Sequence, residues 1–219
     1  MVFPLHDNIP GERFPLVMWL LIVVNVAVFM FEQTLSHSQL EQFFYAWGLV
    51  PAQASLTTVF TSMFLHGGWA HLIGNMWALF LFGNNVEDRM GPLRFLAFYL
   101  ACGAVAAMAH IFTNPFSSLP TVGASGALAG VMGAYVVLFP GARVLTAVWL
   151  GLVFLVEVPA VVYLGAWALI QLLLGYLSLF TPEAGGIAFW AHVGGFAAGM
   201  VLYRLFLDSR LHGPDSAEF

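Results

Sequence analysis

At 219 residues, 61% hydrophobic and only 8% charged, the chain carries more apolar side chain than the interior of a water-soluble domain of this size can hold. Its mean hydropathy of +0.89 agrees, and the composition reads as a multi-pass helical membrane protein. A net charge of −5, with six arginines and no lysine, offers no footprint for nucleic acid, and the single Cys102 excludes an intrachain disulfide.

In chain order, residues 1–13 form a polar segment without the basic start and small-residue cleavage site of a signal peptide. A bilayer-crossing helix needs about 20 mostly apolar residues. Candidate spans are residues 14–31, 67–86, 95–113, 122–139, 158–180 and 184–203, and none contains Asp, Glu, Lys or Arg. The breaks between them fall at Gly91-Pro92, Asn114-Pro115 through Pro120, Pro140-Gly141 and Thr181-Pro182 through Gly185-Gly186. Residues 144–156 are apolar but short, and suit an interfacial or re-entrant segment better than a crossing. With six spans and a cytoplasmic start, all six arginines fall on the cytoplasmic side; a seventh span would expel Arg204 and Arg210. The connection over residues 32–66 holds Phe43, Phe44, Tyr45 and Trp47, and is expected to lie at the outer interface.

The expected organisation is therefore all-α: a cytoplasmic N-terminal segment (1–13), one six-transmembrane-helix domain (14–207) and a cytoplasmic C-terminal tail (208–219). The second, fourth and sixth spans run from outside to inside. Their early polar residues are His71 and Asn75, Ser125, and His192, each expected roughly 5–12 Å beneath the outer interface. Taken singly, Ser125 reads as a small packing residue and His192 as a core histidine. At matched depth on one side, they read as a nucleophile and its general base. Gly126 and Gly130 on the fourth span, and Gly195 and Gly199 on the sixth, allow the close helix contact that a serine–imidazole hydrogen bond requires.

His71 and Asn75 are four residues apart and share a helix face, where they can join the Ser125 backbone N–H in holding an oxyanion. His66 is expected at the rim of the site. Two histidines without a carboxylate make a poor metal site, so no metal or cofactor is expected. No span carries an acidic residue to orient His192, which points to a Ser–His dyad rather than a triad. The same absence excludes aspartyl intramembrane proteases, and no His-Glu-x-x-His helix occurs for a zinc enzyme. His6, His37, His110 and His212 have no evident partner.

Three motifs carry a resemblance: His66-Gly-Gly-Trp-Ala-His71-Leu-Ile-Gly-Asn75, Gly123-Ala-Ser125-Gly126, and Ala191-His192-Val-Gly-Gly195 through Gly199. In this order and spacing the chain resembles the rhomboid intramembrane serine proteases over residues 14–207. The resemblance implies a Ser125–His192 dyad with His71 and Asn75 assisting the oxyanion. It implies cleavage of single-pass or multi-pass membrane proteins near their outer interface, after a small residue. It also implies that the fifth span acts as a gate and residues 181–190 as a cap, with Phe189 and Trp190 as cap residues. Some family members carry a tyrosine four residues after the serine, where this chain has Ala129; glycine-mediated packing or a nearby aromatic is left to orient His192. The arginine found in the long exterior loop of many relatives is also missing.

The leading expectation is a serine endopeptidase of a bacterial inner membrane, its partners being membrane-protein substrates and the lipid bilayer. The alternative is a non-catalytic rhomboid-like protein that binds membrane helices. A transporter would place polar groups along a midplane path, whereas here they cluster near one surface.

Overall fold

The structure, a computed structural model, describes residues 2–149, 151–180 and 187–208. Among these are three strands and eight α-helices: β1 Val2–Asp7, α1 Leu16–Glu32, α2 His37–Trp47, α3 Leu56–Thr61, α4 Trp69–Met90, α5 Pro92–Thr113, α6 Ser125–Leu138, β2 Arg143–Trp149, β3 Val153–Pro159, α7 Ala160–Ser178 and α8 Phe189–Phe206. By length and composition, α5 and α7 are long and apolar enough to cross a bilayer, while α1 and α6 are shorter apolar helices. The residues expected in the exterior loop at 181–183, the start of the cap and most of the C-terminal tail, including Arg210 and His212, lie outside the described residues.

The centre of the fold is α6. Every residue from Gly126 to Tyr135 is buried, and the helix packs against α4, α5, α7 and α8. Small side chains make this possible. A Cβ on Gly195 of α8 would stand 2.0 Å from the Gly126 carbonyl oxygen, and one on Gly199 would stand 1.9 Å from that of Gly130. The two helices therefore meet backbone to backbone at the four glycines singled out in the sequence, an approach that any larger residue forbids. On its other sides α6 meets α5, where a Cβ on Gly126 would stand 2.8 Å from the Ala106 methyl.

Packed against α8 and α6 more sparsely, α7 is a peripheral helix. Only Ala160, Leu164, Gln171 and Gly175 are buried, a single stripe at helical spacing, while Leu169, Leu173 and Leu177 are more than half exposed. At the other edge, α1 is capped from outside its own sequence. The Glu87 carboxylate of α4 accepts the Val17 and Met18 N–H groups at 2.9 and 2.7 Å, satisfying two donors that a helix start leaves free. This explains why α4 runs on to Met90, past the expected end at 86: its last turn, which holds Glu87, is part of the α1 start.

One expectation is corrected here. The chain is mostly helical, not wholly so, because residues 144–156 fall largely in strands. They make an antiparallel hairpin, β2 with β3, and β1 adds to β2 to give a three-stranded sheet in the order β1-β2-β3. Val2–Asp7 of the N-terminal segment thus belongs to that sheet. β-branched Val144, Thr146, Val148, Val153, Val156 and Val158 favour strands, and Gly151 takes a positive φ of 92° in the connection. Val144 and Thr146 alternate inward and are fully buried. β1 is tied to α4 as well: Trp77 Nε1 donates to the Pro4 carbonyl at 2.8 Å, and Phe3 stacks on the Trp77 ring.

The aromatic segment after α1 is the helix α2, started by a Ser36–Gln39 capping box and with no buried residue.

Candidate active site

Ser125 is the first residue of α6, and His192 is the fourth of α8. Ser125 was expected one turn inside its helix; instead, extended backbone carries it to the site. Leu49 and Thr121 form a β-bridge, and the Gly123 N–H donates to the Ser62 carbonyl at 2.8 Å, so helix geometry begins only after Gly123. As the opening residue of a helix, Ser125 has a backbone N–H with no intrahelical acceptor. The glycine contact between α6 and α8 then sets the side chains together: His192 Nε2 lies 2.7 Å from Ser125 Oγ.

His71 and Asn75 sit on the first two turns of α4. The His71 ring occupies the space a side chain at position 123 would take, since a Cβ there would lie 2.6 Å from its Cε1 and Nε2. Gly123 also has a φ of +130°, which a residue with a Cβ rarely adopts. Ser125, His192, His71 and Asn75 all line one cavity of about 930 Å³.

His66, expected at the rim, does not line that cavity and is 1% exposed. It stands behind Asn75, with its Nε2 3.0 Å from Asn75 Nδ2 and its ring centroid 5.0 Å from that of His71. Glu32, at the end of α1, accepts the His66 backbone N–H at 3.2 Å and draws this loop inward. Burial, assisted by neighbouring His71, pulls the His66 imidazole down to about 4. A neutral Nε2 can then accept from the Asn75 amide.

His110 also has partners that sequence spacing did not reveal, Thr121 Oγ1 at 2.9 Å from its Nε2 and Asn114 Nδ2 at 3.3 Å from its Nδ1. Phe189 and Trp190 open α8 and pack over Gly175 of α7.

A family model described as Rhomboid domain matches residues 53–209. The chain belongs to the rhomboid family. It is 30% identical to Rhomboid protein 1, mitochondrial, of Saccharomyces cerevisiae over 70% of this chain and 42% of that protein. It is 41% identical to the Bacillus subtilis rhomboid protease GluP over 38% of this chain and 16% of GluP. It is also 37% identical to the putative rhomboid protease YdcA of the same bacterium, over 34% of this chain and 37% of that protein. The chain thus spans less than half the length of these relatives. Rhomboid membership brings membrane embedding with it, whereas a bacterial inner membrane is too narrow a reading when mitochondrial and bacterial proteins match alike.

Two further residues of this rhomboid domain meet His192: Gln171, which has no counterpart in the sequence reading, and Trp167, an aromatic of the kind left to orient the histidine. Gln171 Oε1 lies 2.7 Å from His192 Nδ1, and the Trp167 ring lies 5.6 Å from the imidazole, centroid to centroid. Both belong to α7, four residues apart on the face turned inward. Ala129, by contrast, packs near Gly195. The signal for Gln171 was present: it is the only amide side chain in an otherwise apolar helix.

Proposed function

We propose that this rhomboid is an intramembrane serine endopeptidase that cuts transmembrane segments of membrane proteins near the outer interface. The observation that carries the reading is the 2.7 Å contact between His192 Nε2 and Ser125 Oγ, two groups 67 residues apart in sequence. Ser125 Oγ attacks the scissile carbonyl while its proton passes to His192 Nε2, giving a tetrahedral oxyanion. The imidazolium returns that proton to the leaving amine as the C–N bond breaks. Water, deprotonated by the same nitrogen, then hydrolyses the acyl ester.

The oxyanion is held by the Ser125 backbone N–H at the positive end of α6 and by side-chain donors of His71 and Asn75. One hydrogen of the Asn75 amide engages His66, which orients the group and leaves the second for the substrate. A bond inside an intact helix has its carbonyl hydrogen-bonded, so the substrate must unwind locally first; Gly, Pro or polar residues near the cut favour this.

The same reading sends α1, α4, α5, α6, α7 and α8 across the bilayer, with both termini cytoplasmic and α2 and α3 at the outer surface. Exposed leucines on α7, together with Met108 of α5 and Val201 and Leu205 of α8, fit a lipid-facing perimeter.

The test is cleavage of a helix-destabilised transmembrane substrate in proteoliposomes. Ser125→Ala and His192→Ala are expected to lower the rate by at least about 10³-fold with folding intact. Replacing the substrate's Gly and Pro by Leu slows the wild-type enzyme. Cleavage by Ser125→Ala at the wild-type rate overturns the proposal. Binding of substrate helices by wild-type protein with no cleavage converts it to the non-catalytic reading.

A further inference from the structure

We infer that Gln171 is a positioning residue for His192, turning the Ser125–His192 pair into a Ser–His–Gln relay; this rests on the hydrolytic reading above. Three observations converge. Gln171 Oε1 is 2.7 Å from Nδ1 on one side of the imidazole, while Ser125 Oγ is 2.7 Å from Nε2 on the other. Gln171 is buried, on the narrow inward stripe of α7, where a polar side chain is retained only at a cost unless it is bonded. Trp167, one turn earlier, lies against the same ring and limits its rotation.

The chemistry follows from the donor inventory. An amide oxygen only accepts, so opposite Nδ1 it requires the proton to sit there. That leaves the Nε2 lone pair facing the serine hydroxyl, the one tautomer able to act as base. When Nε2 takes the serine proton, Nδ1–H becomes the hydrogen-bond donor of a cation, and its bond to Oε1 strengthens. Gln171 holds orientation and tautomer as an aspartate does, but without a full charge to stabilise the imidazolium. No acidic residue is needed in the membrane, and none occurs in α6, α7 or α8.

The experiment compares wild-type protein with Gln171→Met, Gln171→Glu and Ser125→Ala in the proteoliposome cleavage assay, with thermal unfolding recorded for each. Met keeps the length of the side chain and removes the acceptor; kcat is expected to fall on the order of 10- to 100-fold with KM little changed. The acid limb of its kcat profile moves to lower pH, because the imidazolium loses its partner. Glu supplies a charged acceptor, and its acid limb moves the other way, by about one pH unit or more. A substitution that merely loosened packing moves neither limb. Among the described residues, the other titratable groups whose charge bears on His192 are His71 on α4 and His110 on α5, and both are unchanged in these variants.

Nitrogen-15 NMR of His192 in Ser125→Ala protein reads the tautomer without turnover: a protonated Nδ1 is expected, and a protonated Nε2 overturns the assignment. Gln171→Met with wild-type kcat and an unmoved acid limb, beside an inert Ser125→Ala, overturns the role of Gln171 alone. An active Ser125→Ala overturns the hydrolytic reading itself and the relay with it.

Discussion

α6 and α7 flank the same histidine, yet they are held in opposite ways. α6 is buried along Gly126–Tyr135 and touches α8 through carbonyl oxygens lying against glycines. α7 buries four residues and turns the rest of its leucines outward. Ser125 therefore comes from a densely packed element, seated against α8 at Gly195 and Gly199. The group on the far side of the imidazole comes from one that rests on a single stripe. Dense packing transmits strain, so the α6–α8 seam holds Ser125 and His192 more firmly than the sparser contacts of α7 do.

Substitution at the seam sharpens that contrast most. Gly199→Leu drives a side chain into the Gly130 carbonyl, 1.9 Å from where its Cβ would stand, and is expected to cost more than about 4 kcal/mol. Thermal unfolding in detergent and loss of all cleavage check it; a folded, active Gly199→Leu breaks the comparison. Next come the groups on α4: His71→Ala and Asn75→Ala are expected to lower kcat by about 10²–10³ per lost oxyanion donor while binding changes less, as steady-state kinetics in proteoliposomes will show.

A smaller effect concerns pH and stability. His66 takes a proton in the folded protein only near pH 4, but near its ordinary 6.5 when unfolded. Between those values the unfolded chain binds more protons, so stability falls as pH drops from about 6.5 to 4. His66→Gln is expected to flatten that part of the melting-temperature profile; an unchanged slope contradicts the buried neutral assignment. Smallest is the outward face of α7, where Leu173→Ala is expected to stay within about 0.5 kcal/mol in the same unfolding assay. A large loss there would mean that α7 is held as firmly as α6.

Much of this was legible in the residues because the membrane makes polarity conspicuous. Ser125, His192, His71 and Asn75 stand out in apolar runs, and glycines at four-residue spacing mark the seam that brings two of them together. What was missed has equally physical causes. Length separates residues 144–156 from a crossing helix and their β-branched content favours strands, but pairing with Val2–Asp7 is a long-range contact with no local signal. The burial of His66 is not legible locally, because it depends on Glu32, 34 residues earlier. In the absence of an acid, glycine packing or a nearby aromatic is the orienting group expected from sequence, and Trp167 is such an aromatic; Gln171 is a neutral amide, which can hold an imidazole without the cost of a buried charge.

The account stands on Ser125 being made nucleophilic by His192 in the folded, membrane-embedded protein. Incubation with a fluorophosphonate followed by peptide mapping measures this directly. A single adduct on Ser125 in wild-type protein, lost in His192→Ala, is the expected result. Folded wild-type protein that stays unlabelled, or a Ser125 adduct that forms equally fast in His192→Ala, contradicts it.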